Sequence, residues 1–339
     1  MAKNRKQVIG ITLGDINGVG PEVVIKALSD SRMLNQVTPV IFGSSKTISY
    51  YRKLLKIDDF SVFHLKEGQE PNHKRINLVE CWEEIAEINL GEAKKDAGEK
   101  ALKALDKACE FLEKGQIDAV VTAPINKATI QSDEFNFPGH TEYFGAKFGG
   151  NPLMFMVTDN LRIAVATSHV PIKEVPELIT QERIEKSIKK LIKSLKKDFG
   201  ISKPKVAVLG LNPHAGEEGL LGKEETEVIK PAINQFKDKG ELVFGPFPAD
   251  GFFGSGSYKK YDAILAMYHD QGLIPFKSLS FGRGINYSAG LSIVRTSPDH
   301  GTGYDIAGQG LASENSLRSA IYLAVDILKN RDETEPDNE

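Results

Sequence analysis

The stretch Tyr261-Asp-Ala-Ile-Leu-Ala-Met-Tyr-His269-Asp270-Gln-Gly-Leu-Ile-Pro-Phe-Lys277 decides how the chain is read. Its apolar run, Ala263 to Met267, is short and is soon followed by Gly and Pro, the pattern of a buried strand that stops abruptly. His269 and Asp270 stand at the C-terminal end of that strand, and in open parallel α/β sheets the ligand crevice lies beyond that edge. The same grammar recurs in Ile163-Ala-Val-Ala-Thr-Ser-His169 and in Val206-Ala-Val-Leu-Gly-Leu-Asn-Pro-His214. Each is a small apolar strand that delivers one histidine just past its end. A lone histidine so placed is more often a hydrogen-bonded structural residue than a ligand. Three in the same setting point to a metal site. Three neutral imidazoles suit zinc or another first-row divalent ion and leave a coordination position open. Asp250 and Asp270 are the carboxylates placed to orient a ligand or to accept its proton, and the competing reading of each is a turn cap.

A chain of 339 residues allows a large core and about two domains. With 40% hydrophobic and 26% charged residues it reads as an ordinary globular protein, which sets aside disorder and fibres. A formal net charge of -3 argues against a general nucleic-acid binder, so the expected partner is a small molecule. The first apolar run, Val8 to Ile11, gives way to Gly14 and Asp15 and is too short for a signal peptide or a membrane span. A cytoplasmic protein is expected. Cys81 and Cys109 lack metal-ligand spacing and read as reduced core residues.

Taken in order, Val8 to Leu13 reads as a strand, and Gly14-Asp-Ile-Asn-Gly18-Val-Gly20-Pro21-Glu22 turns it into a helix. Such a loop could hold an anion at a helix N-terminus, or its glycines could serve a tight turn. Its G-x-x-x-G-x-G spacing is neither a Rossmann fingerprint nor a P-loop. Val37 to Phe42 is a second strand, Ser61 to Asn89 reads as irregular, and His64 and His73 read as exposed. Ala101, Leu102, Leu105, Ala108, Cys109 and Leu112 recur at helical spacing before Gly115. Ala119 to Thr122 is a strand that delivers Asn126 and Lys127. Phe137 to Glu142 is a turn holding His140 and Thr141, and Thr141 could be a helix cap. Leu153 to Val157 and Ile163 to Thr167 form a hairpin. Glu182 to Phe199 is an amphipathic helix, and a last helix carries Leu317 to Leu328. Between them, Gly245 to Phe253 reads as a rigid turn with Asp250 at its tip. The glycine-rich run beyond Lys277 holds Asn286, Arg295, Asp299, His300 and Gly301, and Arg331 to Glu339 is a polar tail expected to be disordered.

Six motifs together resemble the 4-hydroxythreonine-4-phosphate dehydrogenase family: Thr-Ala-Pro-Ile-Asn-Lys127, Gly-His140-Thr141-Glu, Gly-Leu-Asn-Pro-His214-Ala-Gly-Glu, Met-Tyr-His269-Asp270-Gln-Gly-Leu, Gly-Arg-Gly-Ile-Asn286 and Arg295-Thr-Ser-Pro-Asp-His300-Gly-Thr. The resemblance runs from about Val8 to Leu328. It implies an α/β fold of two α/β/α lobes like the isocitrate and isopropylmalate dehydrogenases, with the active site in the cleft between lobes. Residues 1–130 with 275–332 would form the cofactor-binding lobe, residues 131–274 the metal-binding and dimerisation lobe, and residues 333–339 a disordered tail. It also implies an obligate homodimer whose active site is shared between subunits.

The implied reaction is NAD-dependent oxidation of 4-phosphooxy-L-threonine to 2-amino-3-oxo-4-phosphooxybutanoate, which decarboxylates to 3-amino-2-oxopropyl phosphate in vitamin B6 biosynthesis. Matched motif by motif, His169, His214 and His269 are the ligands of a divalent metal (zinc, magnesium or cobalt), contributed by both subunits. Asp250 or Asp270 is the proton acceptor. His140, Thr141, Lys277, Asn286 and Arg295 match substrate contacts, with Lys277 and Arg295 supplying charge-assisted donors to phosphate and carboxylate. The cofactor, NAD or NADP, is expected along Asn286, Asp299, His300 and Gly301. Gly14-Asp-Ile-Asn-Gly18 and Tyr304-Asp305 depart from the usual family pattern. D-threonate and D-erythronate 4-phosphate dehydrogenases share the histidines and form the alternative reading; a metal-dependent lyase of a phosphorylated metabolite is another.

Overall fold

The structure, a computed structural model, describes residues 5–66, 68–84 and 86–334. The chain divides into two compact units, residues 1–149 with 291–328 and residues 150–290 with 329–339. The first unit opens with β1 (Gln7–Thr12), α1 (Gly20–Leu28), α2 (Met33–Gln36), β2 (Val37–Gly43) and α3 (Ser45–Leu55), followed by β3 (Val62–His64), β4 (Ile76–Glu80), α4 (Lys95–Glu113), β5 (Ala119–Thr122) and α5 (His140–Phe148). β1 pairs in parallel with β2 on one side and β5 on the other, β2 with β4, and β4 with β3. Every residue of β2 and β5 is buried, as expected for parallel strands covered on both faces. α4 buries the expected Ala101, Leu102, Leu105, Ala108 and Cys109.

The second unit contains β6 (Leu153–Val157), β7 (Arg162–Val165), α6 (Val175–Leu178), α7 (Gln181–Lys197), β8 (Lys205–Leu209), α8 (Lys230–Lys237), β9 (Leu242–Phe247), α9 (Ala249–Gly254), β10 (Ala263–Ala266), α10 (His269–Ser280) and β11 (Ile285–Ala289). Its strands run in the order β11-β6-β7-β10-β8-β9. β6 is antiparallel to both of its neighbours, and the pairs from β7 to β9 are parallel. The chain then returns to the first unit with β12 (Val294–Pro298), parallel to β5, and closes with α11 (Asn315–Thr334). Ile163, Val165, Ala207, Leu209, Ile264 and Ala266 form the strand side of the second core, with Leu273 and Phe276 of α10 against them.

Several elements differ from the sequence reading. The irregular segment from Ser61 to Asn89 holds β3 and β4, hidden because β4 carries a polar residue, Asn77, inside its apolar run. Asn77 is nevertheless fully buried: its Nδ2 donates to the carbonyls of Pro39, Asn72 and Arg75, and its Oδ1 accepts from the Asn72 amide. His64 and His73 are exposed as expected. Gly245 lies in β9, so the expected rigid turn begins as a strand, and Asp250 lies in the first turn of α9. The glycine-rich run beyond Lys277 contains β11 and β12. The units meet in sequence at residues 149/150 and 290/291, where the sequence reading put 130/131 and 274/275. α5 stays with the first unit because Tyr143 and Phe144 pack in its core beside Phe135, and β11 stays with the second because it pairs with β6. Gly149, Gly150 and Gly290 have φ of 74°, 109° and 90°, a region where glycine alone is comfortable.

The expected disordered tail overlaps the last helix. Residues 331–334 continue α11, because Arg331 Nε donates to Asp198 Oδ1 at 2.7 Å and its Nη2 to the Tyr287 hydroxyl at 3.1 Å. Residues 335–339 lie outside the described residues. Cys81 and Cys109 are free thiols, and burial pushes both up to about 12, which leaves them unreactive. Among the described residues no helix is long and apolar enough to cross a membrane.

Gly98 sits inside α4, where alanine would ordinarily gain about 1 kcal/mol of helix propensity. A Cβ there would lie 2.1 Å from the Thr129 carbonyl oxygen, a backbone atom that cannot step aside cheaply. Gly98→Ala is therefore expected to destabilise by about 1–3 kcal/mol, measured by urea denaturation; an unchanged or higher midpoint would contradict this packing.

Candidate functional site

β10 lies between β7 and β8 with all three parallel, and their registers are nearly level: Ile264 pairs with Ile163 and Ala207, and Leu265 with Ala164 and Val208. The pairing continues past the strand ends, with the Thr167 amide and hydroxyl both donating to the Met267 carbonyl at 3.1 and 2.8 Å. His169 and His269 therefore emerge side by side, their ring centroids 5.6 Å apart. They share a cavity of about 320 Å³ with Ile172, Val175, Tyr268 and Asp270. Asp270 Oδ1 accepts from His269 Nδ1 at 2.7 Å, which fixes the ring and leaves Nε2 as the nitrogen able to ligate a metal.

Gln271 was not singled out from the sequence. Its Oε1 accepts from the Met267 amide and its Nε2 donates to the Gly210 carbonyl, both at 2.7 Å, so it ties the turn before α10 to the loop that leads to His214. That loop is strained. His214, Ala215, Glu217 and Glu218 all have positive φ between 42° and 55°, a conformation that costs an ordinary residue roughly 1–2 kcal/mol. The opposing force is the carboxylate of Glu225, 1% exposed, which accepts from the Leu211 and Asn212 amides at 2.7 Å each and from Asn212 Nδ2 at 3.0 Å. A glutamate three turns of chain away from any motif carries no local signal. Asp250 is exposed in α9, which packs against the turn bearing His214. Among the described residues no three His, Cys, Asp or Glu side chains converge in one chain as a metal-binding group. The pair His169 and His269 has the donor chemistry a divalent ion requires, and His214 stands apart from it.

The first unit gathers a second group. α5 begins at His140 with Gly139 before it, and no side chain caps that end, so Thr141 is not the cap. His140 Nε2 is buried with no hydrogen-bond partner. Burial, and then the charges of Arg295 and Lys127, hold the imidazole well below its ordinary pKa, so it is neutral at pH 7. Arg295 on β12 is 1% exposed, and its Nε and Nη2 both donate to Thr122 Oγ1, at 3.1 and 2.6 Å. Burial pushes its guanidinium down to about 9, with the Glu142 carboxylate opposing. It is still charged at neutral pH. Thr122, the last residue of β5 and the first of the Thr-Ala-Pro-Ile-Asn-Lys127 motif, is thus the acceptor that fixes the guanidinium. Lys127 bears on His140, whereas the Asn126 carboxamide closes its own turn by accepting from the Ala128 and Thr129 amides.

The remaining expected residues are divided between the units. Lys277 and Asn286 belong to the second. Lys277 is exposed seven residues after Asp270 on the same face of α10, and Asn286 Oδ1, on β11, is buried with no hydrogen-bond partner. Asp299, His300 and Gly301 follow β12 in the first. The Asp299 amide donates to Ser316 Oγ at 3.1 Å, and that hydroxyl donates back to Asp299 Oδ1 at 3.2 Å. His300 Nδ1 meets the Gly301 carbonyl at 3.0 Å. A carbonyl can only accept, so Nδ1 carries the hydrogen and Nε2 of the neutral ring is an acceptor; it is buried with no hydrogen-bond partner.

The N-terminal glycine loop is built for packing. The amides of Asp15, Asn17, Gly18 and Val19 are taken by Pro124 O, Asp15 Oδ1, Asp15 O and Thr302 O, so these four are already engaged within the protein. A Cβ at Gly18 would lie 2.6 Å from Thr302 O and one at Gly20 2.3 Å from Leu13 O.

Residues 35–324 match the family described as pyridoxal phosphate biosynthetic protein PdxA. A 4-hydroxythreonine-4-phosphate dehydrogenase of Bacteroides thetaiotaomicron is 51% identical over 95% of this chain and 89% of its own. A protein of Oceanobacillus iheyensis, named provisionally as a D-threonate 4-phosphate dehydrogenase, is 36% identical over 97% of this chain and all of its own. The crystal structure of 4-hydroxythreonine-4-phosphate dehydrogenase from Klebsiella pneumoniae superposes with a TM-score of 0.82 at 32% identity, covering 97% of this chain and 100% of that one. Isocitrate dehydrogenase from Methylococcus capsulatus, at 12% identity and a TM-score of 0.52 over 96% of this chain and 87% of that one, shares the fold. The two-lobed dehydrogenase fold expected from the sequence is thus the fold observed.

Glu225→Ala leaves the left-handed turn without its acceptor. A loss of roughly 2–4 kcal/mol in stability is expected from three charge-assisted bonds, together with weaker zinc binding by titration; wild-type values for both would remove Glu225 from this role. Arg295 is the expected partner of an anion, so a folded Arg295→Met variant is expected to bind inorganic phosphate roughly tenfold or more weakly than wild type at pH 7 by calorimetric titration. Wild-type affinity in that variant would exclude Arg295 as the anion's partner.

Proposed function

Since the chain belongs to the pyridoxal phosphate biosynthetic protein PdxA family, we propose that it is the NAD-dependent, or NADP-dependent, dehydrogenase of 4-phosphooxy-L-threonine, acting in the cytoplasm in vitamin B6 biosynthesis. The observation that carries the reading is the level edge of β7, β10 and β8, beyond which the histidines emerge with His269 held by Asp270. The 51% identical Bacteroides relative supports the amino-acid substrate.

In the proposed reaction NAD or NADP would supply the hydride acceptor for the carbinol carbon, and a carboxylate of this chain takes the hydroxyl proton, giving 2-amino-3-oxo-4-phosphooxybutanoate. The bond to its carboxylate then breaks, carbon dioxide leaves, and the electron pair left on carbon is protonated to give 3-amino-2-oxopropyl phosphate. A divalent ion held by His169, His214 and His269, whether zinc, magnesium or cobalt, would supply Lewis-acid polarisation of the substrate oxygen. Asp270 is already engaged in orienting His269, so Asp250 is the better proton acceptor. Arg295 and Lys277 hold the phosphate and the carboxylate, while His140, kept neutral, hydrogen-bonds the substrate without adding charge; Thr141 and Asn286 complete the contacts. Asn286, Asp299, His300 and Gly301 serve the cofactor.

A homodimer with a shared active site completes the proposal. Ile274, 64% exposed, lies on the face of α10 that carries Asp270 and Lys277, and Phe281, 85% exposed, follows the end of that helix. Exposed apolar residues flanking site residues suit coverage by a second subunit, which would also contribute to the metal ligands. A second reading, a D-threonate or D-erythronate 4-phosphate dehydrogenase, draws on the Oceanobacillus relative.

The test is NADH formation by the metal-loaded protein with 4-phosphooxy-L-threonine, beside the two sugar-acid phosphates. Turnover of the amino acid, reduced roughly a hundredfold or more in His214→Ala, is the expected result. Turnover of the sugar acids alone would shift the assignment to the second reading, and product without NADH would favour a lyase.

A further inference from the structure

The loop from Asp299 to Ile306 contains Gly301 and Gly303 and is not intrinsically stiff. Three ties hold it. Asp299 exchanges hydrogen bonds with Ser316 at its start, the Thr302 carbonyl accepts from the Val19 amide at 2.8 Å in its middle, and the Tyr304 hydroxyl donates to Asp15 Oδ2 at 2.6 Å at its end. Asp15 is 1% exposed, and its other oxygen accepts from the Asn17 amide at 2.9 Å. Asn17 in turn fixes the neighbouring segment: its Oδ1 accepts from the Asn89 amide, its Nδ2 donates to the Glu92 carbonyl, and its carbonyl accepts from the Gly91 amide. Asp15 thus stands on a rigid base, and burial raises its pKa against the pull of its hydrogen bonds.

We propose that Tyr304 and Asp15 are positioning residues that clamp the Asp299–Gly303 loop for the dinucleotide cofactor. The inference rests on the cofactor reading given under Proposed function. Between the clamp and the Asp299 tie sits His300, whose buried Nε2 is an acceptor with no hydrogen-bond partner. A ribose hydroxyl or an adenine amino group is the kind of donor it would take. Without the Tyr304 hydroxyl the loop keeps its sequence and its Thr302 tie but loses the bond that fixes its far end, so the cofactor must order it on binding. That raises the dissociation constant of the cofactor and leaves the chemistry of the bound complex intact.

The experiment compares full-length, metal-loaded wild type, Tyr304→Phe and Asp15→Asn by NAD titration calorimetry, steady-state kinetics and thermal melting. Tyr304→Phe is expected to raise both Kd and KM for NAD about tenfold, with kcat and the KM of the phosphorylated substrate within about twofold. Asp15→Asn leaves one accepting oxygen for two donors, the Tyr304 hydroxyl and the Asn17 amide, so it is expected to raise Kd and KM for NAD in the same direction as Tyr304→Phe. Folded Tyr304→Phe that binds NAD like wild type overturns the inference, as does an equal rise in both KM values accompanied by a lower melting temperature. Wild type that binds no NAD overturns the cofactor reading itself, and the clamp with it.

Discussion

Parallel pairing of β10 with both β7 and β8 is the constraint on which the site depends. Strands that run the same way in near-level register end on the same side, so whatever follows each of them is delivered to one edge. The backbone bonds that extend this pairing to Thr167 and Met267 bring His169 and His269 within ring-contact distance. Antiparallel pairing of β10 with either neighbour would send one histidine to the opposite edge. The substituents of the site are therefore consequences of strand direction, and the small buried side chains of the strands are what permit that direction to be covered by helices on both faces.

Precision is added by buried polar groups whose bonds are all internal. Glu225 holds a strained turn, Gln271 ties two strand ends together, Thr122 receives both arms of Arg295, and Asp15 receives Tyr304. None of these side chains is placed to do chemistry; each limits how far a neighbour can move. A polar group in a dry interior is costly unless satisfied, and the same cost keeps a satisfied one from rearranging. The two units use this device for opposite charges, a neutral His140 beside a buried guanidinium in one and a carboxylate-held His269 in the other.

The strands that deliver His169, His214 and His269 were legible because short buried apolar runs combine there with distinctive punctuation. β4 was not, since Asn77 interrupts its apolar run and is reconciled with burial by hydrogen bonds to the nearby Asn72 and Arg75 and by one to Pro39, which strand pairing brings near. β11 and β12 were obscured by flanking glycines. The boundaries between the units were displaced because a helix's allegiance is decided by the core that receives Tyr143 and Phe144, not by the helix's own periodicity.

By itself the sequence determined the alternation of strands and helices, the family, and the residue types available for chemistry, because these depend on local patterns and on motifs a few residues long. The tertiary structure decided which of those residues meet. It paired His169 with His269 and left His214 apart from that pair, packed the N-terminal glycine loop against Pro124 and Thr302, and gave Glu225, Gln271, Thr122 and Tyr304 holding roles that no local pattern announces. The physical reason is range. Periodicity reports which face of an element is buried, whereas a hydrogen bond between residues 289 positions apart, as between Asp15 and Tyr304, exists only once strand order and register have closed the distance.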